Sequence, residues 1–567
     1  MTDKAYNEYI RWKSSSFIDE KMREELESIA GDPAEIENRF GSSLSFGTAG
    51  LRGIMACGSN NMNVFTVGQA TQGFCDYIKS VGGGEVAIAY DTRNNSELFA
   101  KTCACVLAGN GIRSYLFDGP RPTPELSFAL RHYGCTGGIN VTASHNPKEY
   151  NGYKAYWADG AQLSPEQAGE VSAHISRCDI FEGTVKADFD EGIKSGLIRM
   201  IGKETDEIYL SKVLEQAVDP AVLAEMSDMS VVYTPLHGAG KALVPEVLKR
   251  AGLKNVITVP EQMIQDGNFP TVRFPNPEYP EAFTIGRKLA EENNCDLIIA
   301  TDPDADRMGL MIRDGDGFIV LTGNQIGCLL LDYIISAMKE TGRLPEDAYA
   351  VKSIVSTELA SEICRANGVV MHDVLTGFKF IGETIKKHEQ LGYGTFLLGF
   401  EESYGYLKGT YARDKDAVVA SMLAAEMAAY YRSRGMTLKD ALDGLYKKYG
   451  FFAEKTVGKS YSKEKMTEIM TGFHSATPEV ICGEEVISVR DYLAGTITDM
   501  KSGKTEPTGL PSSDVLYYKT ENCVVVVRPS GTEPKIKFYY MAKGGSCDDA
   551  ALKIARCEED IAEIIGK

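Results

Sequence analysis

Residues 86–120 contain VAIAYDTR (86–93), SELFAKTCACVLAGNG (96–111) and IRSYLFDGP (112–120), in that order. An apolar run of strand length is followed by an amphipathic run of helix length and then by a second apolar run, which is the signature of an α/β unit with largely parallel strands. The pattern returns in SVVYTPLHGAGKALVPEVLKRAGLKNVITVPE (230–261) and in AYAVKSIVSTELASEICRANGVVMHDV (348–374). At least three α/β blocks are therefore expected. After about residue 448 the texture changes: paired strand candidates CVVVVRP and KIKFYY flank a turn, and Ser546 with Asp549 forms the capping-box pattern of a closing helix. This reads as a smaller fourth domain of α+β type.

Each block holds an apolar strand that runs straight into a polar loop: GGINVTASHNP, DLIIATDPDADR and TFLLGFEESYGY. In open α/β sheets ligands gather beyond the carboxyl ends of strands, so three such loops are expected to line one cleft.

Composition limits what that cleft can serve. The chain has 567 residues and a formal charge of −19, which opposes nucleic acid and anionic lipid; an anionic ligand must be drawn into a locally basic cleft, and a small phosphorylated metabolite fits that demand. Glycine, at 56 residues, exceeds its usual share of roughly 7% and predicts many tight turns or backbone-lined sites. The thirteen cysteines are odd in number and lack a CxxC pair, so they read as reduced thiols of a cytoplasmic protein. The start, MTDKAYNEYIRWK, has no signal-like apolar stretch, and no run long enough to cross a bilayer follows.

DPDADR places Asp302, Asp304 and Asp306 at alternate positions, so three carboxylates can converge on one hard cation, for which Mg²⁺ is the natural choice. An EF-hand is excluded because its sixth and twelfth positions would be Arg307 and Arg313. Ser144 in VTASHNPKEYNGYK (141–154) is not a hydrolase nucleophile elbow, since no glycine lies two residues to either side. Taken alone, it is either a hydroxyl in an Asn-Pro turn or a phosphate acceptor. Beside a divalent cation its phosphate ester becomes both a ligand and a phosphoryl donor. RPSGTEPK (528–535) offers Arg528, the hydroxyls of Ser530 and Thr532 and backbone N–H groups around Gly531; this suits a phosphate dianion, or an ordinary hairpin turn. FGTAGLRG (46–53) contributes Arg52 beside glycine hinges, with a plain glycine-rich turn as its rival reading. GAGKAL and SGKT fail the dinucleotide and P-loop patterns, and no histidine stands at zinc-motif spacing.

TASHNP, DPDADR, GFEESYGY and RPSGTEP, in this order, resemble the α-D-phosphohexomutase superfamily, and most closely its phosphoglucomutase-2-like branch. The resemblance implies three similar α/β domains with mixed sheets and a smaller C-terminal α+β domain around a central cleft, which we divide as residues 1–205, 206–319, 320–448 and 449–567. It implies that Ser144 is the phosphoserine, that Asp302, Asp304 and Asp306 hold Mg²⁺ together with it, and that Lys154, Arg52 and His145 act beside it, with Lys154 an acid/base provided that its neighbours lower its pKa. Glu401 and Ser403 would bind the sugar, Gly377 and Lys379 of TGFKF would distinguish the two ends of the substrate, and Arg528, Ser530, Gly531 and Thr532 would hold the phosphate that is not reacting. Arg307 and Lys415 complete the implied substrate contacts. GFEESYGY departs from the commoner G-E-x-S-G-H form, with Tyr404 inserted before Gly405 and Tyr406 in the place of histidine.

The activity implied is interconversion of glucose 1-phosphate and glucose 6-phosphate, with glucose 1,6-bisphosphate as intermediate and activator, by a cytoplasmic monomer or homodimer. A phosphopentomutase and a hexose-bisphosphate synthase are the rivals within the family. A sugar phosphatase and a non-catalytic sugar-phosphate binder are the rivals outside it.

Overall fold

The computed structural model describes residues 1–48, 50–530 and 535–566, which form four large sheets, a two-stranded hairpin at Val480–Ile481 and Glu484–Glu485, and their covering helices. The first sheet is ordered Leu51–Ile54, Tyr150–Trp157, Gly137–Val141, Val86–Tyr90, Ser114–Phe117, Ile198–Ile201. Its last four strands are parallel, whereas Tyr150–Trp157 runs antiparallel to Gly137–Val141. The stretch that predicted an α/β unit supplies two of the parallel strands and the helix Ser96–Gly109 between them.

The second and third sheets repeat this plan. Leu297–Thr301, Ser230–Thr234 and Asn255–Thr258 are parallel, and Met308–Asp314 returns antiparallel beside Leu297–Thr301. Val370–Val374, Ala348–Ser353 and Thr395–Glu401 are parallel, and Gly405–Leu407 returns antiparallel beside Thr395–Glu401. In all three sheets, a parallel strand therefore ends in a tight reversal that leads into an antiparallel partner. Each reversal contains one non-glycine residue in the left-handed region: Ser144 at φ 51°, Ala305 at φ 47° and Tyr404 at φ 68°. The three polar loops singled out in the sequence are these reversals.

The first division proposed above needs correcting. Lys203–Leu214 is one continuous helix, so a cut after residue 205 falls inside it; the break in regular structure lies at Gly202, between the strand ending at Ile201 and that helix. The second sheet also runs to Val320, one residue past the division placed after 319. The second and third blocks share one apolar core, because helix Ala417–Arg432 packs on Gly240–Arg250 and Pro220–Glu225 of the second block as well as on Gly323–Glu340 of the third. Residues 417–431 are buried all round, as a helix sandwiched on every face requires. Asp416 caps this helix, accepting the N–H groups of Val418 and Val419 at 2.8 and 3.0 Å.

The fourth sheet is wholly antiparallel, in the order Phe451–Ser460, Lys535–Gly544, Cys523–Pro529, Leu516–Lys519, Ser488–Asp491, Thr496–Asp499, Thr505–Pro507. CVVVVRP and KIKFYY pair as expected. Ser546 Oγ accepts the Asp549 N–H at 3.1 Å, while the Asp549 carboxylate reaches back to the Gly545 N–H at 2.8 Å, so the closing helix Cys547–Gly566 is capped by these two residues. One face of this sheet covers helix Cys547–Gly566; the other, through Tyr517, Val526 and Tyr539, packs on Ile354, Val355 and Leu375 of the third block.

Ahead of the first sheet, three short helices close over a small aromatic core in which Trp12 meets Phe40, Phe65 and Phe181 edge-on. The other tryptophan, Trp157, ends a strand of the first sheet beside Tyr77. No described helix is long and apolar enough to cross a membrane.

Candidate active site

Ser144 lies three residues beyond the strand Gly137–Val141 and is 3% exposed. A serine in the left-handed region costs roughly 1–2 kcal/mol and persists only where its surroundings fix it. Here Thr142 Oγ1 accepts the Ser144 N–H at 2.8 Å and donates to Asp91 Oδ2 at 2.6 Å. The guanidinium of Arg93 donates to the carbonyls of Ser144, Pro147 and Tyr150 at 2.6, 2.8 and 3.0 Å, and to that of Asn146. Arg93 also pairs with Asp91 at 3.3 Å, both side chains being wholly buried. One arginine thus staples the whole reversal from beneath. Arg93→Met is expected to cost about 3–5 kcal/mol, because it strands the buried Asp91 carboxylate and four carbonyls; urea denaturation of the variant measures it.

The hydroxyl of Ser144 donates to Asp302 Oδ2 at 2.8 Å, across 158 positions of sequence. Asp302, Asp304 and Asp306 offer carboxylate oxygens within 4.8 Å of one another, and all three residues are buried. The Asp302 Oδ1 atom accepts the backbone N–H groups of Asp306 and Arg307 at 3.2 and 3.1 Å, which coils the loop around it. The loop is also tied to its neighbours: the Asp304 carbonyl accepts from Thr123 N–H of the first block at 2.8 Å, and the Ala305 carbonyl from Ala417 N–H of the third at 3.2 Å.

The donor set fits a hard divalent cation. It is all oxygen, and Asp304 Oδ1 and Asp306 Oδ1 are buried without a hydrogen-bond partner, which leaves two carboxylate oxygens for a cation to satisfy. The charges agree. Burial, with the charges of Asp304 and Asp306 added, pushes the Asp302 carboxyl well above its usual range, the mark of three carboxylates crowded together.

Lys154 Nζ donates to Asp304 Oδ2 at 2.7 Å and approaches Asp306 Oδ2 at 3.4 Å. Burial pulls this ammonium down, but Asp304 and Asp306 outweigh it and hold Lys154 above the ordinary lysine value. The lowered pKa expected of an acid/base lysine is thus not found; two carboxylates beside a buried ammonium raise it. Lys415 Nζ bonds Asp306 Oδ2 at 3.1 Å and Asp414 Oδ1 at 2.8 Å, so it faces the acidic loop. Gly405 permits this, since a Cβ there would sit 2.2 Å from Lys415 Cδ. His145 Nδ1 is 3.3 Å from Ser144 Oγ; burial, reinforced by Arg307 and Arg52, holds the imidazole well below its ordinary pKa and therefore neutral. Arg52 reaches the same reversal through Asn146 Oδ1 at 3.4 Å.

At the third reversal, Glu401 Oε1 accepts the Gly377 N–H at 2.7 Å, which joins GFEESYGY to TGFKF. Arg307 spans the second and third reversals, donating to Glu278 Oε1 and to the Ser403 carbonyl, both at 3.0 Å. Lys379 is half-buried with its ammonium 5.1 Å from the Phe380 ring centre. Tyr404 and Tyr406 turn away from the cleft, donating to the carbonyls of Leu321 and Gly323 at 3.0 and 3.2 Å. The departure from the histidine form is therefore filled by a core residue. In the fourth domain, Arg528 Nη1 donates to Tyr539 Oη at 3.3 Å, and Ser530 follows the strand that carries Arg528; Gly531 and Thr532 lie outside the described residues.

Glu402, next to Glu401, accepts from Ser353 Oγ at 3.1 Å, and burial together with the Glu401 charge raises its carboxyl to about 7 from 4.5. The folded state therefore prefers the protonated form. Its contribution to stability is complete below 4.5 and is lost as pH rises through about 7. Glu402→Gln is expected to leave the melting temperature unchanged near pH 4.5 and to raise it above wild type by pH 8; thermal scans across that interval check it.

Sequence reasoning missed the residues that hold the site from behind. Thr123 Oγ1 donates to Asp304 Oδ2 at 2.6 Å and accepts from Asn140 Nδ2 at 2.6 Å. Asp91, Arg93, Glu278 and Asp414 were likewise unmarked. The one available signal was the polar DTR (91–93) directly after the apolar strand VAIAY.

Four domain profiles match the chain in order. They are phosphoglucomutase/phosphomannomutase α/β/α domain I over residues 43–179, domain II over 207–315, domain III over 322–449, and the C-terminal domain over 488–563. A protein of Staphylococcus saprophyticus named phosphoglucomutase is 38% identical over 518 residues, covering 90% of this chain and 92% of its own. Among solved structures, parafusin from Paramecium, a phosphoglucomutase in an open form, superposes with a TM-score of 0.69 at 16% identity and covers 94% of this chain and 97% of its own. A phosphoglucomutase/phosphomannomutase family protein from Burkholderia thailandensis gives 0.65 at 18%, covering 92% and 96%. At these identities, the two structures speak to the fold alone.

Proposed function

Because the chain belongs to the phosphoglucomutase/phosphomannomutase family, we propose that it interconverts glucose 1-phosphate and glucose 6-phosphate through a phosphoserine at Ser144. The observation that carries this reading is the 2.8 Å approach of the Ser144 hydroxyl to Asp302, which joins the candidate nucleophile loop to the acidic loop.

Asp302, Asp304, Asp306 and the Ser144 oxygen would hold Mg²⁺, which when bound supplies positive charge against the oxygens of the transferring phosphoryl group. In the forward direction the seryl P–O bond breaks as a P–O bond to a sugar hydroxyl forms, and the proton lost by that hydroxyl is matched by the one gained at the Ser144 oxygen. The resulting glucose 1,6-bisphosphate turns over in the cleft, and its other phosphoryl group returns to Ser144. Lys154 and Lys415, both charged, flank the acidic loop; the raised pKa keeps Lys154 in its protonated form, the form that can bond or donate to the departing serine oxygen, and leaves little of the neutral amine that could remove a proton from the sugar. Glu401 and Ser403 would bind ring hydroxyls, Gly377 and Lys379 would sense the substrate's orientation, and Arg307 holds the two loops together. Arg528 with Ser530, Gly531 and Thr532 would hold the distal phosphate. The burial of Ser144 keeps water from the ester, as a mutase requires. The bacterial relative and the free thiols support a cytoplasmic enzyme acting on small phosphosugars, for which a monomer or homodimer is the expected state.

Coupled assays with glucose 1-phosphate and ribose 1-phosphate test the proposal. A much higher kcat/KM for the pentose would make the enzyme a phosphopentomutase. Steady release of inorganic phosphate faster than isomerisation would make it a phosphatase.

A further inference from the structure

Of the thirteen cysteines, three gather within the fourth domain. Cys482, Cys523 and Cys557 are buried, with sulfur atoms within 4.8 Å of one another, and no other cysteines among the described residues form such a group. Each comes from a separate element of the fourth domain. Cys482 stands between the strands Val480–Ile481 and Glu484–Glu485, Cys523 opens the strand Cys523–Pro529, and Cys557 lies on helix Cys547–Gly566. Cys482 adopts φ 56°, and its N–H donates to Asp560 Oδ2 of that helix at 2.6 Å, which seats the hairpin turn against the helix.

We propose that Cys482, Cys523 and Cys557 form a binding site for one soft, thiophilic d¹⁰ cation, of the zinc(II) or copper(I) class, separate from the active site. Metal–thiolate bonds of about 2.3 Å place sulfur atoms roughly 3.8–4.0 Å apart in tetrahedral or trigonal geometry, inside the observed limit. Three sulfurs with no carboxylate among them exclude Mg²⁺ as the occupant. Cys482, at 9% exposed against 2% and 0% for Cys523 and Cys557, gives the ion a way in. Binding exchanges three S–H bonds for three metal–sulfur bonds and releases three protons, with no change in oxidation state. The bound ion would clamp hairpin, sheet and final helix together.

The test uses the full-length protein, fully reduced and stripped with a chelator, titrated with Cd²⁺ under argon. One equivalent should produce a thiolate-to-cadmium charge-transfer band in the near ultraviolet and protect three of the thirteen cysteines from alkylation. Zn²⁺ and Cu(I) are then added in separate arms, and displacement of cadmium by either identifies the occupant. Cys523→Ser and Cys482→Ser should bind at least tenfold more weakly, while mutase turnover is unchanged. Cys482 lies at the rim, so its variant keeps the test valid where a central substitution prevents folding. Absence of the band, a band that persists in Cys482→Ser, or a disulfide between two of the three that forms in preference to metal binding would overturn the proposal.

Discussion

Ser144→Ala is expected to lower kcat for glucose 1-phosphate isomerisation by about 10⁴-fold or more, the scale of losing a covalent nucleophile outright. The backbone cost is small by comparison. Alanine at φ 51° bears the same left-handed conformation as serine, and the Arg93 and Thr142 bonds fall on main-chain atoms that alanine retains. Melting temperatures of the two proteins should therefore agree within a few degrees, which separates chemistry from folding. The wild-type protein should carry a mass excess of about 80 Da, one phosphoryl group on serine, that maps to Ser144 and vanishes in the variant. A Ser144→Ala protein that keeps full turnover would instead support a scaffold or binder.

Asp302→Asn is expected to reduce turnover by about 10³-fold, in the range for removing one preorganised electrostatic contact from a reacting centre, and to weaken Mg²⁺ binding in calorimetric titration. Its effect on stability should have the opposite sign. Burial and two neighbouring carboxylates raise the Asp302 carboxyl well above its usual range, so a neutral amide removes repulsion when magnesium is absent. Melting temperature in chelator should rise in the variant and the wild-type gain on adding Mg²⁺ should shrink. A purely structural aspartate would lose stability in both buffers.

The class of fold was legible because each parallel strand is a short apolar run bounded by a polar loop, a local pattern that residues 86–120 display fully. The three site loops were legible for the same reason: a run such as LIIA followed at once by DPDADR has no structural use for three adjacent acids. What stayed hidden depends on contacts distant in sequence. Arg93 and Asp91 look like surface polar residues until the fold buries them beneath the serine reversal. Thr123 is an unremarkable helix-start threonine until Asp304 arrives beside it. Helix Ala417–Arg432 carries the composition of a buried helix, yet nothing in its sequence says that most of its partners belong to the second block. In GFEESYGY the sequence shows that a histidine is replaced, but not that the tyrosine rings point into the core.

Both tryptophans, Trp12 and Trp157, sit in the first block and its leading helices, and the remaining blocks have none. Intrinsic indole emission is therefore a private optical channel for that part of the polypeptide, whereas far-ultraviolet dichroism averages over all of it. Superimposed denaturation curves from the two signals would mean that the serine-bearing block melts in step with its neighbours; an early shift in emission would mean that it comes apart first and takes the nucleophile with it.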